Sequence, residues 1–165
     1  DYLGQVKSNS EKELSSRQQH IVDWQKGVEK LYGTLKRLAG KKAKLTFQKT
    51  QIHEKDLGLY EIRNLTMEIG TLELVLKPRG TIILGFQGRV DMRGPRGAIR
   101  ILRIIEGRKE RWALCLNPEN PNELTALNEH SLALAFKYVI EGPHTIPPPA
   151  TPSTPVRMKK TSSKS

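Results

Sequence analysis

Apolar residues Ile21, Trp24, Val28, Leu31, Leu35 and Leu38 recur at alternating steps of three and four. That spacing lays them along one stripe of a helix. Written as heptads, Ile21, Val28 and Leu35 share one seam position, and Trp24, Leu31 and Leu38 share the other. Leu14 continues the first series, but Arg17 breaks the second one heptad earlier. Ser15 and Ser16 offer N-caps and Gly40 a stop. The pattern therefore predicts an amphipathic heptad helix within residues 16–40, running from about Ser16 to Leu38, after a flexible lead over 1–15. Gly27 and Gly33 each weaken such a helix by about 1 kcal/mol relative to Ala. The stripe suits two ends: packing on its own domain, or docking a second copy or a protein partner.

From Lys44 the period changes to two. Strands are expected over 44–52, 57–62, 65–69, 72–76, 81–92, 98–105 and 111–116. Turn residues separate them: Gly70, Lys77-Pro78-Arg79-Gly80, Gly94-Pro95-Arg96-Gly97 and Glu106-Gly107-Arg108-Lys109. Connections this short cannot hold crossover helices, so neighbouring strands should be antiparallel. Gly85 and Gly88 interrupt the longest strand, as a bulge or a sharp coil would require. Asn117 to Asn122 reads as a loop. Thr125 or Asn128 then caps a second helix whose apolar face carries Leu132, Phe136, Val139 and Ile140, and Gly142-Pro143 ends it.

The fold class is α+β: an N-terminal amphipathic helix, an antiparallel β-meander of six or seven strands curling into a barrel or half-barrel, and a C-terminal capping helix. Residues 41–142 form the meander and its helix. Residues 143–165, with six of the ten prolines and almost no large apolar groups, form a disordered Pro/Ser/Thr/Lys-rich tail. In element order alone the outline resembles pleckstrin-homology-like domains, which carries no function with it.

Charge sharpens the picture. Of the net +11, residues 77–111 hold +7 (ten Lys/Arg, three Asp/Glu) and residues 142–165 hold +4, while 1–76 (+3) and 112–141 (−3) cancel. A field so concentrated attracts phosphate-rich partners. No apolar run approaches the roughly 20 residues of a membrane span. A single cysteine, Cys115, excludes an intrachain disulfide and favours a reducing compartment, hence the cytoplasm.

If Gly94 to Gly97 make a turn, Arg93 faces Ala98, Asp91 faces Arg100 and Arg89 faces Leu102. Alternation then puts Arg89, Asp91, Arg93 and Arg100 on one face of a hairpin, with Arg96 at its tip. Guanidinium forks there would suit phosphate oxygens. The plainer alternative is that Asp91 pairs with Arg89 or Arg100 and orders the hairpin. A second basic run, Lys36, Arg37, Lys41, Lys42, Lys44 and Lys49, straddles the helix end, where the dipole alone favours cations.

The aromatics Trp24, Phe47, Phe86, Trp112 and Phe136 read as core. Tyr2, Tyr32 and Tyr60 are left for base stacking, too few for a stacking platform. No histidine pair has metal-ligand spacing, Cys115 reads as a buried thiol, and no glycine run matches a phosphate loop.

The expected function is a non-enzymatic basic module that contacts DNA or RNA phosphates through Arg89, Arg93, Arg96, Arg100, Lys41, Lys42 and Lys44. The alternatives are an adaptor docking through Ile21, Trp24, Val28, Leu31, Leu35 and Leu38, and, behind it, an anionic-lipid module. No catalytic residue, metal, cofactor or small-molecule substrate is inferred.

Overall fold

The structure, a computed structural model, describes residues 2–81, 85–117 and 119–142, the side chains of residues 2–10 excepted. The expected disordered tail lies outside the described residues. Helix α1 runs over Tyr2–Ala39, so the stretch before Ser16 is helical from Tyr2 rather than a lead into a helix. Residues 11–19 contain Glu, Lys, Leu, Arg and Gln, all good helix formers, and no proline. Glu13 and Arg17, one turn apart, approach to 3.9 Å. Ser15 and Ser16 thus sit inside the helix and cap nothing. Residues 11–20 are exposed, and contact with the sheet region begins at His20, whose Nε2 lies 2.8 Å from Thr81 Oγ1 at the end of β3. At the other end Gly40, with φ of 73°, turns the chain into a short 3-10 turn over Gly40–Lys42.

Seven strands follow: β1 (Ala43–Glu54), β2 (Gly58–Ile69), β3 (Leu72–Gly80), β4 (Arg89–Arg93), β5 (Ala98–Glu106), β6 (Lys109–Cys115) and β7 (Thr125–Ala126). They form one antiparallel sheet in chain order, and helix α2 (Glu129–Glu141) closes the fold. The sheet is not closed: β1 and β7 are its two edges, and no ladder joins them into a barrel. Both helices share one core with the inner face, in which Trp24, Val28, Leu31 and Leu35 meet Leu65, Met67, Leu76, Met92, Ile101, Leu114 and Val139.

The two strands expected over 57–62 and 65–69 are one strand. Its ladder with β1 runs unbroken from Ala43↔Ile69 to Glu54↔Gly58. Yet its buried positions shift parity, from Tyr60 and Ile62 to Leu65 and Met67. A two-stranded ribbon twists more than a wide sheet, and β3 pairs only with the Leu65–Ile69 end. The unsupported part of the β1–β2 ribbon therefore rotates its other side toward the core. Its tip folds back on β3, where the Glu54 carboxylate accepts from the Thr81 amide at 3.0 and 3.2 Å and from the Tyr60 hydroxyl.

Two further expectations fail. Lys77 to Gly80 is strand, not turn: Lys77 pairs with Asp91 and Pro78 with Val90, with a register shift between Pro78 and Gly80. Proline is tolerated in a ladder at such an irregularity. Of the strand expected over 81–92, residues 82–84 lie outside the described residues, 85–88 form a loop, and the strand observed is Arg89–Arg93. Gly88 explains the loop, because a Cβ there would lie 2.2 Å from the Trp24 ring. The buried indole fills the space a side chain at 88 would need.

Helix α2 starts at Asn128, not Thr125, which belongs to β7. The Asn128 side chain accepts from the Ser131 amide at 2.9 Å while the Ser131 hydroxyl accepts from the Asn128 amide, a reciprocal capping box. Gly142 ends it, its amide donating to Tyr138 O at 2.9 Å.

Candidate nucleic-acid interface

The β4–β5 hairpin has the register its alternation predicts: Arg89↔Leu102, Asp91↔Arg100 and Arg93↔Ala98. Val90, Met92, Ile99 and Ile101 point into the core, so Arg89, Asp91, Arg93 and Arg100 share the face away from the helices. The tip, Gly94 to Gly97, closes with Gly94 N donating to Gly97 O at 2.9 Å, and docks on α2 through Arg96 N to Val139 O at 2.9 Å. A Cβ at Gly94 would sit 2.5 Å from Val139 O, so the close approach requires glycine there. The exposed Arg96 side chain thus leaves the turn beside the C-terminus of α2, where the helix dipole favours a cation.

Asp91 is the centre of the site. Its carboxylate accepts two hydrogen bonds from Arg89, at 2.7 and 3.0 Å, and Arg79 approaches to 3.7 Å. Lys77 on β3 and Arg100 on β5 are its cross-strand neighbours. Arg93 is two residues along β4 on the same face. One carboxylate therefore stands among five cations: Lys77, Arg79, Arg89, Arg93 and Arg100. Among the described residues, Arg93, Arg96 and Arg100 form no ion pair, and all are exposed. The plainer alternative thus holds for Arg89, which is half-buried and committed to Asp91, and not for Arg100. Lys77 and Arg79 escape a reading that takes 77–80 as a turn. The signal for them was present, since Glu73, Val75, Lys77 and Arg79 alternate with Leu72, Leu74, Leu76 and Pro78.

Lys41, Lys42 and Lys44 are exposed at the start of β1. Antiparallel register puts that start, the end of β4 and the tip at one end of the sheet. Three strand spacings, roughly 14 Å, lie between β1 and β4. Between them runs the row Lys44↔Glu68↔Glu73. The lysine run and the arginine hairpin are neighbours divided by an acidic pair, not one continuous patch. Gly142, from which residues 143–165 continue, is three residues past Val139 and so beside the arginine tip.

The heptad residues lie elsewhere. Ile21, Trp24, Val28, Leu31 and Leu35 are buried and Leu38 is partly buried, all against the chain's own sheet. Packing on its own domain, the first of the two uses of the stripe, is what is observed. Trp24 touches Trp112 at a centroid distance of 6.1 Å. Of the tyrosines left for stacking, Tyr32 and Tyr60 are buried, and the Tyr2 side chain lies outside the described residues. Burial, reinforced by Glu54 for Tyr60 and by Glu29 for Tyr32, raises both phenol pKa values well above the usual tyrosine range. Conversely, Phe47, expected in the core, is 38% exposed, its ring resting against Tyr32 and under the Arg63 guanidinium at 4.1 Å. Arg63 in turn grips Glu29 of α1, a hydrogen bond that raises its pKa further.

A second charged cluster pins α1 to the sheet. Arg103, 3% exposed, donates to Glu110 at 2.6 Å and to Asp23 at 3.0 Å. All three Arg103 guanidinium nitrogens have partners, the third being Gln87 O, which marks a structural tie. Cys115 is buried, as its alternation suggests. Among the described residues no group of three or more His, Cys, Asp or Glu is placed to hold a metal ion, and no helix is long and apolar enough to cross a membrane. No protein-family model, no curated protein and no solved structure matches the chain.

Proposed function

We propose that this chain is a non-enzymatic nucleic-acid-associated protein that holds backbone phosphates on the solvent face of β3, β4 and β5. The observation that carries the reading is the local imbalance around Asp91: five cations about this one carboxylate, with Glu73 further along the same face of β3, and Arg93 and Arg100 exposed and unpaired. Arginine forks of this kind hold phosphate oxygens two at a time. Arg96, Lys41 and Lys42 extend the field at the same end of the sheet, and residues 143–165 add four cations to the chain's charge. Phosphate contacts give affinity without sequence choice and weaken steeply with salt. The adaptor reading has less support, because its docking residues are already occupied in the chain's own core.

The test is a salt titration of binding to duplex DNA and to single-stranded RNA, for the full chain and for residues 1–142. Each phosphate contact contributes roughly 0.9 to the slope of log affinity on log salt for duplex DNA. Three unpaired arginines predict a slope near −2.7, or roughly a 40-fold loss between 50 and 200 mM salt. The reading is overturned if neither form binds at micromolar protein in low salt. It is overturned for the folded module if only the full chain binds. Binding to acidic liposomes but not to nucleic acid would transfer the site to a membrane surface.

A further inference from the structure

The cations around Asp91 form a ring, not a stripe. A surface that tracks a nucleic-acid backbone spreads its charges along a line, because the phosphates it meets are spaced along the strand. Here Lys77 and Arg100 flank Asp91 on the two neighbouring strands, Arg79 and Arg89 close on its carboxylate, and Arg93 stands on the same strand. On the β5 and β6 side of Asp91, away from Lys77 and Arg79, is a depression of about 210 Å³ walled by Arg89, Arg93 and Arg100, with Asp91, Ala98 and Cys115 beside them. That volume corresponds to about seven waters. It accommodates a phosphate and the sugar attached to it.

From this geometry we infer that the depression is a site for the terminal phosphate of a nucleic-acid strand. The inference rests on the proposed function and narrows its ligand. A terminal phosphate carries a charge of about −1.5 to −2 near neutral pH and three free oxygens. An internal phosphodiester carries one charge and must enter with chain leaving on both sides. Three arginines lining one depression favour the first ligand on charge, on donor count and on access. Asp91 is the internal anion of the site. Its two hydrogen bonds, at 2.7 and 3.0 Å, fix the Arg89 fork. Arg93 and Arg100 remain the arms that close on the anion. The strand beyond its terminal nucleotide would then cross toward Arg96 or the lysine run at the same end of the sheet.

The experiment compares single-stranded oligonucleotides of one sequence bearing a 5′-phosphate, a 3′-phosphate or no terminal phosphate. Binding to the full chain is read by fluorescence anisotropy at fixed salt, with a nucleoside monophosphate as competitor. One of the phosphorylated forms should bind at least about tenfold more tightly than the unphosphorylated one, the strength of one charge-assisted hydrogen bond. The double variant R93Q/R100Q, at two exposed positions that no core contact depends on, should lose that preference and keep weaker, salt-sensitive binding. Equal affinity for all three oligonucleotides would overturn the terminal site while leaving backbone binding in place. No binding to any of them would overturn both. A nucleoside monophosphate that competes as well as the phosphorylated oligonucleotide would overturn a strand end as the ligand.

Discussion

Replacing Asp91 by Asn should move stability and affinity in opposite directions. Asn has nearly the same shape, so the change removes a charge and little volume. In the free protein the Asp91 carboxylate holds Arg89 through two hydrogen bonds, and the two side chains are only 23% and 29% exposed. A bidentate, partly buried pair is worth more than a surface ion pair but less than a fully buried one, so about 1 kcal/mol of stability should be lost. For a folded unit of this size that lowers the melting temperature by about 3 °C. Against a phosphate held by Arg93 and Arg100, however, Asp91 is a like charge. At roughly 7 Å the repulsion is about 0.6 kcal/mol at the dielectric constant of water and about 2.4 kcal/mol at an effective value of 20. Salt screening at a Debye length of about 8 Å pulls the figure toward the lower bound. D91N should therefore bind an oligonucleotide about three- to tenfold more tightly at fixed salt. Thermal melting by circular dichroism and fluorescence anisotropy read the two effects separately. A variant that melts lower and binds more weakly, or no differently, would refute the argument. It would show that Asp91 acts only by ordering the hairpin, and that the ring of cations does not meet a phosphate.

Two other predictions follow from the way α1 is held. Gly33→Ala should raise the urea midpoint, because a Cβ there meets nothing within 4 Å and the helix gains about 1 kcal/mol. Gly27→Ala on the same helix should lower it, because its Cβ would lie 2.9 Å from Arg103 Nε and 3.0 Å from Glu110 Oε2 in a cluster too tightly tied to give way; equal effects at the two positions would refute that account. Tyr32 and Tyr60 make the fold sensitive to alkali. Their pKa values are raised by burial, so the folded state prefers the protonated phenols. That contribution is intact below the unfolded tyrosine pKa near 10 and is lost progressively above it. Stability by urea titration should be flat with respect to these groups up to about pH 9 and fall beyond about pH 10, with both phenols ionising, by absorbance near 295 nm, only as the chain unfolds. Ionisation of all the tyrosines without loss of structure would contradict their burial.

The parts of the fold that were legible in the sequence are those set by local periodicity. The 3-4 spacing from Ile21 to Leu38 names the buried stripe of α1, and the alternation on either side of Gly94–Gly97 gives the hairpin register. What periodicity misses is decided by contacts distant in sequence. The loop before β4 exists because Trp24, some sixty residues earlier, occupies the space beside Gly88. The start of α1 escapes the pattern because residues 11–15 are exposed, and a pattern of apolar positions has no signal where there is no packing. The single strand β2 looked like two because the twist of an unsupported ribbon moves the buried parity by one between Ile62 and Leu65.

The same limit governs the site. A count along the chain gives ten cations against three acids in residues 77–111, and that excess is visible without any structure. Arrangement decides what the excess can do. Arg103 and Arg111 come from the same stretch, yet each pairs with a carboxylate, Arg103 with Asp23 and Glu110, Arg111 with Glu106. Both are thereby withdrawn from any ligand. Lys77 and Arg79, assigned to a turn by their Pro-Gly setting, stand on β3 at the side of Asp91 that the hairpin cannot reach, Lys77 by direct pairing and Arg79 beside the register shift. Of the cations not so withdrawn, Arg108 and Lys109 sit at the β5–β6 turn and Arg96 at the hairpin tip, and the other five are gathered on β3, β4 and β5 around one carboxylate. A phosphate contacting Arg93 or Arg100 should therefore be more sensitive to a change at Asp91 than to the loss of any single lysine in the run from Lys41 to Lys44, which Glu68 and Glu73 separate from the hairpin.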